Sequence, residues 1–345
     1  MNTYPGQINR MATTTIMIPT RNRPRFLRRV LRYLKSVGCT LPVLVTDSSD
    51  DEFLGEIQRI MTEVEPHLSA RLLHFPPALG PQGKVLASLE WVMTDYCVFL
   101  ADDDFIVPSS IEKCASFLSS HPEYVMAHGL GVSFRLAPGY EINGPLGEIF
   151  PYPQSSQESP STLERLYRHA CGYRTTVYSV HRLAVMKEIW GATLNTDMEF
   201  GEIIPSFLAI ARGKSKRLDV FYIARECHAL AATTQMPDRI SWLTTPQFAA
   251  GFLHLRKLLA DALTSEIPSS EADRQAAVTR LLGTYITDYL AHFGGNKLII
   301  PGYPGDDRTH EPQPRDPRLE MAALMHGSSP FLEDFAPIYS IIQGR

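Results

Sequence analysis

The chain reads as an α/β protein built on a Rossmann-like, mostly parallel sheet flanked by helices, with a helical annex towards its C-terminus. Three observations predict this. Short apolar runs alternate with amphipathic segments of helix length through the first third of the chain. One such run, Tyr96–Ala101, is wholly apolar and stops abruptly at Asp102, Asp103 and Asp104. From Ile240 onward only helical periodicity remains.

Thr13–Ile18 is the first predicted strand. Pro24 suits the first turn of the helix that follows, and Phe26, Leu27, Val30, Leu31 and Leu34 line one face of it. Next come a strand at Pro42–Thr46, a helix at Asp51–Val64, a strand at Arg71–Phe75 and a helix at Gln82–Thr94, before the apolar strand and a helix at Pro108–Ser119. After Tyr124–Leu136 the pattern breaks, and Ala137–Pro160 has the Pro, Gly, Ser and Glu content of a long surface loop. Structure is expected to resume at Ser161, with a strand at Tyr173–Val180, helices at Leu183–Trp190 and Asp197–Arg212, and a strand at Arg217–Ile223. Helical patterns at Pro246–Leu263 and Ser270–Phe293 precede a Pro-, Asp- and Gly-rich stretch, Pro301–Pro317. The expected division is a main domain over residues 1–235, carrying the 137–160 insertion, and a helical annex and tail over 236–345.

With 345 residues, 44% of them hydrophobic, the chain can bury a substantial core. A net charge of -4 and an isoelectric point near 6.3 argue against a general nucleic-acid binder. The five cysteines, Cys39, Cys97, Cys114, Cys171 and Cys227, are an odd number without a C-x-x-C pair, so neither a zinc signature nor a disulfide framework is expected. Met1–Met11 lacks the apolar segment of a signal peptide, and no run approaches the ~20 residues of a membrane span. A cytoplasmic location is therefore expected, with peripheral contact at the inner face of a membrane left open.

Three adjacent carboxylates at a strand end repel one another, and a hard cation such as Mg²⁺ or Mn²⁺ would relieve them. A solvated turn or helix cap is the alternative. Asp47 also stands just past a buried strand, where it could accept hydrogen bonds from a base or ribose, or join Asp50 and Asp51 in capping the next helix. Arg21 and Arg23 precede the first helix and could reach a diphosphate. Arg25, Arg28, Arg29 and Arg32 are expected on the solvent face of that helix, opposite its apolar stripe. Gly213-Lys214-Ser215 is no phosphate loop, because Leu208 stands where the first glycine is required.

Ile16-Met17-Ile18-Pro19-Thr20-Arg21-Asn22-Arg23-Pro24, followed by the Phe26–Leu31 helix, Asp47 and the Asp102–Asp104 run, resembles the opening of the family 2 inverting glycosyltransferases of the GT-A fold. The resemblance covers about the first 230 residues and lies in the order and spacing of the motifs. It implies a nucleotide-sugar donor, with a preference for UDP. It implies that Pro19, Thr20 and Asn22 line the nucleotide pocket, that Asp47 recognises the base or ribose, and that Lys84, in what resembles a donor-contacting loop, approaches the nucleoside. Asp102 and Asp104 would hold the metal diphosphate as the family's DXD motif, and Asp103 would face ribose or sugar. The family's general base matches Asp197, with Thr196 in place of the usual acidic neighbour, so Glu199 and Glu202 stay as alternatives. His228 falls near where some GT-A enzymes supply a further metal ligand; a structural, hydrogen-bonded histidine is the alternative.

These parts support attack by an acceptor hydroxyl on the anomeric carbon, with a carboxylate taking its proton and a metal neutralising the leaving diphosphate. The acceptor, whether glycan, lipid-linked sugar or protein, is not legible, and the annex helices could form a homodimer interface. A sugar nucleotidyltransferase and a non-catalytic nucleotide-sugar binding module are the competing readings. The first would carry a Gly-rich loop after the first strand, which Pro19–Pro24 lacks.

Overall fold

Strand and helix alternate along the chain because apolar runs buried on both faces can only be central strands, and one-sided stripes can only be covering helices. The computed structural model describes residues 14–228, 239–293 and 316–345, so most of the Pro301–Pro317 stretch and the Met1–Met11 segment lie outside the described residues. The first half runs β1 (Thr14–Thr20), α1 (Pro24–Ser36), β2 (Val43–Asp47), α2 (Asp51–Val64), β3 (Ala70–His74), α3 (Gly80–Leu89), β4 (Tyr96–Phe99), β5 (Phe105–Ile106) and α4 (Pro108–Ser120). It continues through β6 (Tyr124–Leu136), β7 (Leu146–Tyr152), α5 (Thr162–Ala170), β8 (Val180–Arg182), α6 (Leu183–Gly191), α7 (Met198–Arg212) and β9 (Lys214–Glu226). The remaining helices are α8 (Arg239–Leu243), α9 (Pro246–Ala262), α10 (Glu271–Phe293), α11 (Met321–Leu324) and α12 (Leu332–Ile342).

Among the described residues the strands form one mixed sheet of nine, in the order β3-β2-β1-β4-β8-β6-β9-β5, with β7 paired to β6. β3, β2, β1 and β4 are parallel, and β6 and β9 run the same way, so six strands share one direction while β8, β5 and β7 oppose them. The connection reverses at β1, which has β2 on one side and β4 on the other. This makes the carboxyl ends of β1 and β4 a switch-point crevice.

The core lies on both faces of the sheet. On one, Leu27, Val30, Leu31 and Leu34 of α1 pack with Ile57 and Ile60 of α2 and Ile111 and Leu118 of α4. On the other, Ile203, Ile204 and Phe207 of α7 pack with Leu89, Ile189, Leu255, Leu259, Leu281 and Tyr285. The helices beyond residue 239 divide between the faces. α9 and α10 cover α7, while α12 brings Phe335, Ile338 and Ile342 into the core beside α1. No described helix is long and apolar enough to cross a membrane.

Three expectations need correction. Ala137–Pro160 is not a featureless loop, since Leu146–Tyr152 is a strand that returns antiparallel along β6. Half-exposed and interrupted by Gly147 and Pro151, it has the composition of an edge strand, which resembles a loop. Tyr173–Val180 is mostly irregular, and its strand is only Val180–Arg182. Arg29 does not face solvent: it is buried, with its guanidinium donating to Glu226, to the Ile142 carbonyl and, at 2.8 Å, to the Asp103 carbonyl. The hairpin joining β6 to β7, together with β9, covers that side of α1.

Candidate active site

The switch-point crevice is lined by the turns that follow β1, β2 and β4. The Thr20 hydroxyl donates to Asp102 Oδ2 at 2.7 Å, tying the end of β1 to the acidic loop. Asn22 adopts φ of 56°, a left-handed conformation that asparagine tolerates better than most residues. Its backbone N–H donates to Ser49 Oγ at 2.7 Å, its Nδ2 to Asp50 Oδ2 at 2.6 Å, and the Asp50 N–H returns to its Oδ1 at 2.9 Å. Asn22 thus pins the first loop to the second. Pro19 is the penultimate residue of β1, in register with Thr46. Arg21 is exposed, 3.7 Å from Asp50.

Lys84 lies in helix α3 and not in a loop, yet its Nζ reaches the crevice, donating to the Thr20 carbonyl and Ser48 Oγ at 2.9 Å each. Burial pulls its pKa down to about 8, against the attraction of Asp47 and Asp102. Asp47 is wholly buried. Its Oδ1 accepts from the Ser49 N–H and hydroxyl at 3.0 and 2.5 Å, and its Oδ2 lies 2.7 Å from Nδ1 of His74.

The three adjacent aspartates have separate partners. Arg23 bridges the first two, NH1 to Asp102 Oδ1 at 2.7 Å and NH2 to Asp103 Oδ2 at 2.6 Å, with its guanidinium stacked 4.2 Å over Phe26. His228, stacked on the same Phe26 ring, sets Nε2 at 2.9 Å from Asp103 Oδ2. Asp104 turns inward, accepting from the Glu226 N–H at 2.9 Å and Arg225 Nε at 3.2 Å, and Arg225 in turn lies between the Tyr152 and Tyr178 rings. Burial raises Asp102 to about 7, against Arg23, and Asp104 to about 6, against Arg225. Burial also acts on Asp103, but the His228 hydrogen bond and Arg23 outweigh it and hold this carboxyl at about 2.

The structure therefore does not gather Asp102, Asp104 and His228, the set expected to hold a metal. It joins His228 to Asp103, and among the described residues no preformed cluster of three metal-ligand side chains exists. The donor chemistry of Asp103 with His228 still fits a divalent ion: an ionised carboxylate oxygen and an imidazole nitrogen converge, and the cation now between carboxylates, Arg23, is partly exposed.

Asp197 caps α7, its Oδ1 accepting from the Phe200 N–H at 2.8 Å and its Oδ2 from Trp242 Nε1 at 2.7 Å. Gln82 of α3 donates to the Asp197 carbonyl at 2.9 Å, so the helix that carries Lys84 also holds the start of α7. Glu199 is buried in the first turn of α7, and Glu202 accepts from Tyr173 at 3.2 Å. Sequence reasoning missed His74, Trp242 and Arg225. Only the position of His74 at a strand's carboxyl end offered a signal.

Residues 15–138 match the family described as Glycosyl transferase family 2. That segment, a little over a third of the chain, is similar to the family 2 glycosyltransferases. The chain's mixed, mostly parallel sheet flanked by helices is GT-A-like. Similar solved structures include S. aureus TarS residues 1–349 (15% identity, TM-score 0.49, covering 82% of this chain and 73% of that one) and the same fragment with UDP-GlcNAc (15%, 0.49, 81% and 73%). Another is the Pyrobaculum calidifontis mannosyltransferase PcManGT with GDP-Man and Mn²⁺ (12%, 0.42, 84% and 77%). No curated protein matches the sequence significantly.

Proposed function

We propose that this chain is a glycosyltransferase that takes its sugar from a UDP-linked donor, needs a divalent ion, and transfers with inversion to an acceptor hydroxyl. The observation that carries the reading is the acidic loop after β4, fastened to Thr20 and Arg23 of the β1 turn at the switch point. Nucleotide diphosphates bind at such crevices in parallel sheets.

Asp103 with His228 would hold Mn²⁺ or Mg²⁺, which when bound offsets the negative charge that grows on the departing diphosphate. The imidazole favours the transition metal. Asp104, both of whose oxygens serve β9 and Arg225, keeps the loop in shape. Lys84 and Arg21 supply positive charge beside the nucleotide. Asp197 accepts the acceptor's proton as the new bond from hydroxyl oxygen to anomeric carbon forms and the bond from that carbon to the diphosphate oxygen breaks. The nucleoside diphosphate leaves, and attack from the opposite side inverts the centre without a covalent intermediate.

A thermal-shift screen of nucleotide sugars with and without Mn²⁺ tests the reading, because a donor that binds the folded state must stabilise it. UDP-sugars with Mn²⁺ should raise the melting temperature, and transfer should release UDP. Release of pyrophosphate, or no response to any nucleotide sugar, would overturn it.

A further inference from the structure

The strands β1, β2 and β3 end level with one another. Thr20 is in register with Asp47, and Asp47 with His74. Residues in register share a face of the sheet, so the three side chains stand in a row along the edge of the crevice. Asp47 has no oxygen to offer a ligand: it is fully buried, with Ser49 on one oxygen and His74 on the other. The His74 side chain, 37% exposed, reaches solvent from the same place.

We propose that His74 reads the nucleobase of the donor, with Asp47 behind it fixing the imidazole tautomer. The proposal rests on the nucleotide-sugar reading above and assigns its base specificity. An ionised carboxylate only accepts, so at 2.7 Å the His74 Nδ1 carries the hydrogen. In the neutral ring Nε2 then holds a lone pair, and His74 presents an acceptor. Uracil matches it with N3–H. Cytosine has a lone pair at N3, so two acceptors would face each other and neither would gain a hydrogen bond. The expected preference for UDP over CDP, two bases of nearly equal size, is about tenfold to a hundredfold.

The test is calorimetric titration of UDP, CDP, N3-methyl-UDP and pyrophosphate, with Mn²⁺ at neutral pH, into the wild type and His74→Asn. The asparagine amide nitrogen stands where Nδ1 stood, so the bond to Asp47 survives while the Nε2 face is lost. The wild type should favour UDP over both CDP and N3-methyl-UDP. In His74→Asn the UDP to CDP ratio should fall to near one with pyrophosphate affinity unchanged. Equal wild-type affinity for UDP, CDP and N3-methyl-UDP, or discrimination that persists in His74→Asn, overturns the assignment and leaves the donor reading standing. A wild type that binds pyrophosphate but no nucleoside diphosphate overturns both. The N3-methyl-UDP measurement needs no variant, so a poorly folded His74→Asn does not remove the test.

Discussion

Asp197→Asn separates the helix cap that this carboxylate forms from the base role proposed for it. The asparagine carbonyl can still cap α7 through the Phe200 N–H, as asparagine caps helices as well as aspartate does. Its amide group must then face the Trp242 Nε1–H, which has donated at 2.7 Å, so one hydrogen bond to a charged acceptor is lost. That costs about 1.5–3 kcal/mol, or a fall in melting temperature of roughly 2–4 °C for a chain of this size. Loss of the proton acceptor should slow transfer about 10²- to 10⁴-fold. Trp242→Phe is the control. It keeps a ring against Phe200 and Phe248, removes the same N–H, and leaves the carboxylate in place. Both variants should lose similar stability, and only Asp197→Asn should lose the chemical step, measured as single-turnover transfer at saturating donor. Near-normal transfer by Asp197→Asn would refute the reasoning and move the base to Glu199 or Glu202. So would a product that retains the donor's anomeric configuration, since a base-assisted direct attack cannot give one.

Excess EDTA should abolish transfer, and His228→Ala should raise the Mn²⁺ concentration for half-maximal rate by at least about tenfold, since even outer partners of metal ligands are worth that much. Asp104→Asn should instead show itself in stability, as a lowered denaturant midpoint, because its oxygens bond Glu226 and Arg225. His128, His169 and His181 are buried, which pulls them down to about 4, 3 and 4, while the unfolded chain takes up protons below about 6.5. Their contribution is complete above that pH and is lost as the pH falls towards 3–4, at up to about 1.4 kcal/mol per pH unit for each group. His169→Phe, replacing a buried ring whose Nε2 has no hydrogen-bond partner, should flatten the acid limb of urea-melt stability by one such slope. At Gly251 a Cβ would come within 2.1 Å of the Phe200 ring, so Gly251→Ala should destabilise by about 1–3 kcal/mol, read as a lower urea midpoint.

The alternation from β1 to α4 was legible because parallel central strands are apolar throughout and their helices carry one clean stripe. Val43–Asp47 and Ala70–His74 fall within a residue of the expected strands. β7 was not legible, because an edge strand paired on one side needs no apolar face. For the candidate site the sequence points to residue types and not to their pairing. Which of three adjacent aspartates meets His228 is decided by the turn after β4 and the end of β9, two segments more than 100 residues apart in sequence. Arg29 failed for a related reason. Helical periodicity identifies the face away from the sheet, but whether that face meets water depends on a hairpin and a strand, β9, that periodicity in α1 cannot report. Asp47 was identified as an acceptor in the pocket, yet the register of β3 gives its outer oxygen to His74.

The return of α12 to the side of α1 bears on how the chain comes off the ribosome. The first loops of the site rest on α1, yet α1 is not fully covered until Phe335, Ile338 and Ile342 have been made, and the Asn143 amide and the Gly144 N–H wait for carbonyls at Ile341 and Ile342. Contacts of such sequence separation close late in folding. A nascent chain that has not yet reached α12 therefore holds an apolar flank of α1 open to other chains. Changes in α12, far in sequence from every residue of the candidate site, act directly on the shelf that carries it.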